Sequence, residues 1–565
     1  MKPILGIDFG TSTARAAVAV GGDVKMVAQA GGAWTIPAIV AFPPAATGGG
    51  PPLVGGAADT VSARHPERTI VAVKRLLGRR LEAPEVRHHR QTVPYDLVGT
   101  RNGDARVRVG RRHHAPQDIA AYVIETLRGA AERQVSGPVT DVVLAVPAMF
   151  NDLQRQALCD SARIAGLRVI GVLTSTAAAV LGSGVYPAPK GEERKTLVYD
   201  LGGGSFEVSA VMVGDRTAEV LANGGDSFLG GEDFDERIVA YVCEEVLKAG
   251  GGDLRRDRTL LARLKQVAER VKVELSVAEG VDIHLPESST RVPLAVRLDR
   301  ARMETLTQDL VDRTIWACES VLREAQWSAN DVDLVMMIGG QTGMPRIRAQ
   351  LAEVCGKPPI EIPQSDCVVA VGAAQHAAIL AGTARGRGKS RAPIAVTELT
   401  SLSLGLEAAG GVFTRLVPRG TALPGTHAQL VSTSADGQTQ IILHLLQGER
   451  EMASDNESVA RILIGPLPAR PRGEIQLEVD ISTNGGGLPT AVARVVESGE
   501  VKQARVRPSA GLVESEIVAL AAAHAAGSNG AGILSSDNAL VEIAAGDVDH
   551  DSGGSETGDP LLQGG

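Results

Sequence analysis

Asp8-Phe9-Gly10-Thr11-Ser12-Thr13 and Asp200-Leu201-Gly202-Gly203-Gly204-Ser205 are two similar segments that lie far apart in this chain. Each follows an apolar run and precedes small and β-branched residues, so each predicts a strand, a tight glycine turn and a second strand. Glycines let backbone N–H groups approach phosphates, hydroxyl groups add donors, and a carboxylate can hold the water shell of a divalent metal. Two copies with matching flanks indicate two halves that close on one nucleotide from opposite sides.

Simpler explanations of these turns compete with the nucleotide interpretation. A single Asp-x-Gly turn in a glycine-rich chain is more often only a hairpin. Neither copy is a Walker P-loop, because no Gly-Lys-Ser/Thr follows it. Neither matches the dinucleotide fingerprint, because the spacing differs and a strand, not a helix, follows. The repetition of the segment is therefore what favours a nucleotide site.

Composition and length limit the classes of protein to consider. A chain of 565 residues predicts roughly three or four domains. A formal net charge of -9 gives no support to nucleic-acid binding. Five scattered cysteines without a C-x-x-C pair fit reduced thiols, and no apolar run reaches the ~20 residues that span a bilayer. These features predict a soluble, cytoplasmic protein without membrane or nucleic-acid partners.

The pattern of residues changes along the chain and divides it into segments. Residues 1–383 alternate apolar runs with amphipathic stretches, which is typical of an α/β domain. Residues 384–398 are small, polar and basic at their start and predict a linker. Alternating residues predict an antiparallel β-sandwich over 399–498, in which strands at 430–433 and 439–446 flank an Asp436-Gly437 turn. A short helical segment is expected over 499–527 and a disordered tail over 528–565.

Two further features complete the candidate site. An apolar strand at 334–338 leads into Gly339-Gly340, a turn at which the backbone could approach a ribose or adenine. Lys74 lies in Val71-Ala72-Val73-Lys74-Arg75-Leu76 and, taken alone, is most simply an exposed basic residue. Each feature is weak evidence by itself.

The ordered set of motifs resembles the DnaK-type heat-shock chaperones of the actin-like ATPase superfamily. The resemblance covers about residues 4–497. It implies an actin-like two-lobed ATPase domain with a duplicated ribonuclease-H-like fold, a β-sandwich domain and a short C-terminal helix. The matching segments are Gly6 to Thr11, Lys74 to Arg79, Val146 to Gln156, Asp200 to Phe206, Leu229 to Asp235, Ile338 to Thr342, Leu402 to Gly405 and Gln447 to Ala453.

The resemblance implies a role for each matching residue, with ATP and Mg²⁺ as ligands. The implied catalytic residues are Lys74, Asp8, Asp200, Ser205 and Glu207, of which Asp8 and Asp200 would hold the metal through water. Phosphate contacts would come from Gly10, Thr11, Ser12, Gly202, Gly203 and Gly204. The adenosine side would be formed by Glu269, Lys272, Ser276, Gly339, Gly340 and Asp366. Pro147 and Arg155 match a relay that carries the nucleotide state to the β domain.

In the β domain the resemblance implies a cleft that holds an extended apolar peptide, with backbone hydrogen bonds and a side-chain pocket. The residues that match it are Leu406, Ala409, Val431, Ser434, Ile441 and Leu443. Unfolded or extended polypeptides are therefore the expected partners, together with a co-chaperone and a nucleotide-exchange factor.

Several positions depart from the family pattern. Ser175 stands where the family has a glutamate linked to hydrolysis, and such a loss typically costs ~10²-fold or more in rate. Gly343 replaces an arginine that would stack on adenine, which removes on the order of 1 kcal/mol. The segment Ala395-Val396-Thr397-Glu398 is a much weakened form of the apolar interdomain linker, and the helical lid is nearly absent. These changes predict slow hydrolysis and loose coupling between domains.

Three functions follow from this sequence. The first is an ATP-dependent chaperone with a weak ATPase activity. The second is a non-hydrolysing nucleotide-sensing adaptor that uses the β domain to recruit one partner, which Ser175 and Gly343 favour. The third is a small-molecule kinase of the same superfamily, against which the β domain and the Gln447 to Arg450 match argue strongly.

Overall fold

The computed structural model describes residues 2–29, 31–44, 50–185, 187–285, 294–383, 395–408, 410–527 and 533–534. The first half of the N-terminal α/β unit contains a five-strand path, β12-β11-β1-β2-β3, in which β1 is parallel to β11 and antiparallel to β2. Its strands are β1 (Ile4–Phe9), β2 (Thr13–Val20), β3 (Asp23–Met26), β4 (Thr35–Pro37), β5 (Val40–Ala41), β6 (Leu53–Val54), β7 (Thr69–Ile70), β8 (Asp96–Gly99), β9 (Ala105–Val109), β10 (Arg112–His114), β11 (Asp141–Val146) and β12 (Arg168–Thr174). Its helices are α1 (Gly56–Ser62), α2 (Pro84–Thr92), α3 (Pro116–Val135), α4 (Asp152–Ile164) and α5 (Ser175–Gly182).

The second half repeats this arrangement around the second Asp-Gly turn. Strand β13 is parallel to β18 and antiparallel to β14, as β1 is to β11 and β2. The strands are β13 (Arg194–Leu201), β14 (Phe206–Val213), β15 (Thr217–Asp226), β16 (Gly280–Leu285), β17 (Leu294–Asp299) and β18 (Leu334–Ile338). The helices are α6 (Gly231–Lys248), α7 (Arg258–Glu274), α8 (Arg300–Glu324), α9 (Pro345–Cys355) and α10 (Val368–Leu380).

Helices α5 and α10 pack against each other between the two central sheets. Their buried residues share one core with β1, β11, β13 and β14. Gly6, Gly182 and Gly372 make this close contact possible, since a Cβ atom on any of them would collide with backbone atoms of the facing element. The two sheets are therefore held at a separation set by the helix pair, and both Asp-Gly turns lie at the ends of strands in these sheets.

The C-terminal unit consists of two antiparallel sheets that enclose their own apolar core, which includes Leu404, Leu477 and Ile481. The sheets are β21-β20-β24-β25-β29 and β23-β26-β27-β28. Their strands are β20 (Leu404–Ala408), β21 (Val412–Val417), β23 (Gly425–Ser432), β24 (Ile441–Gln447), β25 (Glu457–Ile464), β26 (Gln476–Thr483), β27 (Thr490–Val495), β28 (Val501–Lys502) and β29 (Ala504–Pro508). Four other elements of this part of the chain join the N-terminal unit: β19 (Ala395–Leu399) and β22 (Ala422–Leu423) extend the sheet of β13 to β15, β30 (Ile533–Leu534) pairs with β10, and α11 (Glu514–Ala525) packs on its core.

The strand pairing of this unit decides where one turn leads and where the β structure ends. The strands that flank Asp436-Gly437 do not pair with each other, because β23 pairs with β26 and β24 with β20 and β25. The turn therefore connects opposite sheets. The β structure also extends past residue 498, since β29 pairs with β25 through residues 504–508 and the helical segment begins only at Glu514.

The segment expected to be a weakly docking linker lies on the N-terminal unit. Residues 384–394 are outside the described residues, but Ala395, Val396 and Thr397 pair with β15 as a parallel strand. Glu398 is buried and its Oε1 accepts a hydrogen bond from the Thr174 backbone N–H at 2.6 Å. Backbone pairing does not require large apolar side chains, which explains why this short segment docks in spite of its composition.

The expected tail 528–565 lies almost wholly outside the described residues; within it, β30 pairs with β10. Among the described residues, no helix is both long enough and apolar enough to cross a membrane.

Candidate functional site

The two Asp-Gly turns have the same local geometry. The Gly10 N–H donates to the Thr13 carbonyl at 3.0 Å, and the Gly202 N–H donates to the Ser205 carbonyl at 3.1 Å. Each turn connects the two strands of an antiparallel hairpin, β1–β2 and β13–β14. The strand–turn–strand pattern predicted for both segments is therefore present in the fold.

The turns face each other across a narrow slot. A Cβ atom on Gly204 would lie 2.5 Å from Thr11 Oγ1 and 2.8 Å from Thr11 Cβ, and one on Gly203 would collide with Ser12 Oγ. Only glycine fits at these two positions without displacing the opposite turn. The slot thus presents backbone N–H groups and hydroxyl groups from both halves, which is the chemistry that holds a phosphate chain.

A cluster of buried charges lies beside this slot. Lys74 is only 6% exposed, in a 3-10 helix at Val73–Leu76, although its sequence alone suggested a surface residue. Burial raises the pKa of Asp200 to about 7; the neighbouring Asp8 carboxylate raises it too, whereas Lys74 opposes the shift. Burial and then Asp200 raise the pKa of Glu207 to about 8. The structure therefore brings four of the five predicted catalytic residues together, and Ser205 lies in the turn between Asp200 and Glu207.

The cluster fits a bound cation. Burial is the main cause of the raised pKa values of Asp200 and Glu207, and neighbouring carboxylates add to it. A divalent ion beside these acids would lower their pKa and favour the ionised forms. Among the residues that the structure describes, no group of three or more His, Cys, Asp or Glu side chains could ligate a metal directly. The arrangement accommodates an ion held through water by Asp8 and Asp200.

The raised pKa values of Asp200 and Glu207 lead to a prediction about stability. A carboxyl group whose pKa is higher in the folded than in the unfolded protein lowers the free energy of unfolding once the pH exceeds its unfolded pKa of about 4. This loss of stability grows until the pH passes the pKa of the folded protein. The charge-free variant Glu207→Gln keeps an acceptor for the Ala148 N–H, which now donates to Glu207 Oε2 at 2.8 Å. We expect the variant to melt about 2 °C or more above the wild type at pH 8.5 without nucleotide, with a clearly smaller difference at pH 5. Calorimetry checks this, and equal shifts at both pH values would contradict it.

The residues predicted for the adenosine side lie on two neighbouring elements. Glu269 and Lys272 are on α7 and Ser276 follows it, while Gly339 and Gly340 follow β18. Gly339 has a φ of 87°, and a Cβ atom there would lie 2.7 Å from Asp200 Oδ1, so this turn adjoins the charge cluster. The turn after β18 lies close to the end of α7, since a Cβ atom on Gly343 would be 3.9 Å from Ser276 Oγ.

Lys272 and Asp366 make contacts that the sequence did not indicate. Lys272 Nζ donates to the Gly231 carbonyl at 2.8 Å and forms an ion pair with Asp235 at 2.9 Å. Asp366 is 3.6 Å from Arg15, which also lies 3.9 Å from Asp8. Arg15 was missed, although the register of a hairpin closed at Gly10 and Thr13 places it opposite Asp8.

Arg75 was also missed as a residue of the site. It is buried and spans the cleft, with Nη2 donating to Asp233 at 2.5 Å and to the Gly204 carbonyl at 3.3 Å. Its guanidinium carbon is 4.2 Å from the centre of the Phe228 ring. The signal was available in the sequence, because Arg75 belongs to the same motif as Lys74 and Asp233 to the motif that follows Leu229.

The predicted relay residues connect the cluster to the β-sandwich. Pro147 precedes Ala148, whose N–H bonds to Glu207 and whose carbonyl accepts from Arg155 Nη2 at 3.4 Å. Arg155 also donates to Ser401 Oγ at 3.1 Å and to the Gly485 carbonyl at 2.9 Å. A single residue, Ala148, therefore lies between the buried carboxylate and the arginine that contacts the C-terminal unit.

Four of the six predicted peptide-cleft residues belong to one part of the β-sandwich. Leu406 and Ile441 are buried in its core, and Val431 and Leu443 pack against that core half-buried. Ser434 is exposed near the Asp436-Gly437 turn, and Ala409 lies outside the described residues.

The family model of the Hsp70 protein matches residues 4–530. This range includes both Asp-Gly turns, the Lys74 and Arg155 segments, the whole β-sandwich and helix α11. A match over so much of the chain establishes that the protein belongs to the Hsp70 family.

Proposed function

We propose that this Hsp70-family protein is an ATP-dependent molecular chaperone that binds exposed apolar segments of unfolded proteins. ATP and Mg²⁺ would bind between the two Asp-Gly turns, and ATP binding with slow hydrolysis would control the affinity for peptide. The observation that carries the proposal is the meeting of both turns beside the buried Asp8, Lys74, Asp200 and Glu207 cluster.

Each residue of the cluster has a chemical task in this proposal. The bound metal supplies charge neutralisation on the phosphates. Lys74, held in a buried position, stabilises negative charge near the terminal phosphate. Glu207 Oε2 accepts the Ala148 N–H. A bound cation would lower the raised pKa of Glu207, and the ionised group could then accept a proton from water. Glu207 thereby offers a carboxylate near the cluster in a chain that has Ser175 instead of the family glutamate.

The contacts of Ala148 and Arg155 support coupling between the nucleotide site and the β-sandwich. A change in the charge of Glu207 alters the hydrogen bond to Ala148, and Ala148 shares its carbonyl with Arg155. Arg155 donates to Gly485 of the β-sandwich, and β19, which leads into the β-sandwich, pairs with β15 of the N-terminal unit. Coupling by this route requires no apolar linker, contrary to the loose coupling expected from the sequence.

The family relationship also supports a co-chaperone and a nucleotide-exchange factor as partners, and a role in the stress response. A cytoplasmic location belongs to the same proposal, since all five cysteines are buried free thiols.

A nucleotide-sensing adaptor that does not hydrolyse ATP is the second candidate. Ser175 favours it, because this buried residue at the start of α5 provides a hydroxyl group and no negative charge. In the adaptor the same contacts would report nucleotide binding alone, and the β domain would hold one specific partner.

Single-turnover ATP hydrolysis by the full chain, with and without an extended apolar peptide, tests the proposal. We expect the peptide to accelerate phosphate release several-fold. Leu443→Asp should weaken peptide binding at least tenfold and abolish the acceleration, because a charge would enter a half-buried apolar pocket, while ATP affinity is unchanged. Ile442→Asp is the matched control, since Ile442 is 55% exposed on the same strand.

The outcomes of this experiment separate the two candidates. Tight ATP binding without phosphate release would contradict the chaperone and support the adaptor. Normal peptide binding by a folded Leu443→Asp variant would show that the cleft is assigned wrongly.

A further inference from the structure

Helix α11 lies against the N-terminal unit, away from the candidate nucleotide site. Leu512, Ile517 and Leu520 share a core with residues of α3 and α4. The Gly511 N–H just before the helix donates to Asp104 Oδ2 at 2.8 Å. Leu512 just before the helix and Ile517 and Leu520 within it supply apolar packing, and polar contacts add to the docking.

His524, in the last turn of α11, is the most buried of these polar contacts. Its side chain is 0% exposed; Nε2 lies 2.9 Å from Asp118 Oδ1, and Nδ1 lies 3.0 Å from Glu125 Oε2. Its ring is 4.2 Å from the Tyr122 ring, centre to centre. Nε2 is hydrogen-bonded to Asp118, whereas Nδ1 is within ion-pairing distance of Glu125 without hydrogen-bond alignment. Both carboxylates of α3 therefore favour the positively charged imidazolium over the neutral ring.

The surroundings of His524 contain few other titratable groups. Buried His114 lies 2.8 Å from the second oxygen of Asp118. Elsewhere on α11, Glu514 pairs with Arg163 and Glu516 lies 3.8 Å from Arg106, so the helix is also held by charges of opposite sign at its start. His524 is thus the contact on this helix whose charge changes near neutral pH.

We propose that His524 is a proton-dependent latch, which holds α11 on the N-terminal unit while the imidazolium bridges Asp118 and Glu125 and releases the helix when it loses its proton. The proposal does not depend on the chaperone function. Burial lowers the pKa of His524, but the contacts with Asp118 and Glu125 outweigh burial and raise it to about 9.

The direction of the pH dependence follows from this raised pKa. A free histidine has a pKa of about 6.5, so the docked helix gains its full stabilisation below that pH and loses it as the pH rises through about 9. In between, the docking equilibrium constant falls about sixfold per pH unit. With a pKa of about 9 for docked His524 and about 6.5 for the free side chain, the docking equilibrium constant falls about 40-fold between pH 6.5 and 8.5.

Hydrogen exchange of the α11 amides in the full chain measures this release. An isolated helix of this length is marginal in water, so undocking exposes its amides. After correction for the intrinsic exchange rate at each pH, we expect protection of α11 to fall about 40-fold between pH 6.5 and 8.5. Protection of α3 should stay constant over the same range. A fall of less than about threefold in α11 would overturn the proposal.

Variants identify the group that titrates. His524→Gln should lower protection at pH 6.5 and remove the pH dependence, whereas His88→Gln, which changes an exposed histidine paired with Glu236, should keep the full fall. If His524→Gln does not fold, Glu125→Gln takes its place, because the Glu125 side chain is 32% exposed and tolerates substitution more easily. This variant should reduce the fall of α11 protection with rising pH. An unchanged pH profile in His524→Gln, or in Glu125→Gln as its substitute, refutes the latch.

Discussion

Lys74→Ala is expected to lower the single-turnover rate of ATP hydrolysis at least ~100-fold, with ATP affinity changed less than about tenfold. Lys74 is the one lysine that the structure places among Asp8, Asp200 and Glu207, where it opposes the raised pKa values of both Asp200 and Glu207. Its removal takes positive charge from a buried site where negative charge develops during hydrolysis. The ammonium group is also 5.6 Å from the Phe150 ring, so its position is defined by packing.

Rapid-quench measurement of phosphate release, with nucleotide affinity from calorimetry, checks this expectation. Lys248→Ala is a suitable control, because Lys248 is exposed and pairs with the neighbouring Glu245 on α6. A Lys74→Ala variant that hydrolyses ATP at the wild-type rate would remove Lys74 from the catalytic residues. If neither protein releases phosphate, the adaptor is the better description.

Gly204→Ala is expected to weaken ATP binding at least ~100-fold, because the added Cβ atom would be 2.5 Å from Thr11 Oγ1 and 2.8 Å from Thr11 Cβ. Thr11 is 5% exposed and has little room to withdraw. The two turns would have to separate, and both sets of phosphate donors would then be displaced at once.

Gly56→Ala provides the matched control, since a Cβ atom on Gly56 meets nothing within 4 Å. Calorimetric titration with ATP, and a thermal melt of each variant without nucleotide, distinguish lost binding from lost folding. A folded Gly204→Ala protein with wild-type ATP affinity would show that the slot between the turns is not the phosphate site.

Much of the local structure could be predicted from the sequence because it depends on short-range patterns. The strand at Leu334–Ile338 agrees with the apolar run that predicted it. Local signals also mark two helix starts, since Pro345 begins α9, and Asn151 caps α4 with Gln154 completing a capping box. The sequence did not indicate how the strands around Asp436-Gly437 pair, since a turn signal shows where a chain reverses and not which sheet receives it.

Some features of the candidate site likewise follow from short stretches of sequence, and others depend on contacts between distant residues. The residue types of both Asp-Gly turns indicated phosphate chemistry before any fold was known. The burial of Lys74, the pKa values of Asp200 and Glu207, and the contacts of Arg15 and Arg75 depend on residues more than a hundred positions apart or on strand register. No local pattern contains that information.

By itself, the sequence determined the two glycine turns, the α/β and β segments and the set of residues that resembles one family. Only the tertiary structure decided that the turns meet, that Ala148 connects Glu207 to Arg155, that Ala395 to Thr397 dock as a strand, and that His524 lies between two carboxylates. The physical reason is that turns and strands follow from the conformational preferences of neighbouring residues. Burial, and the charge interactions that burial strengthens, arise only when distant parts of the chain exclude water together.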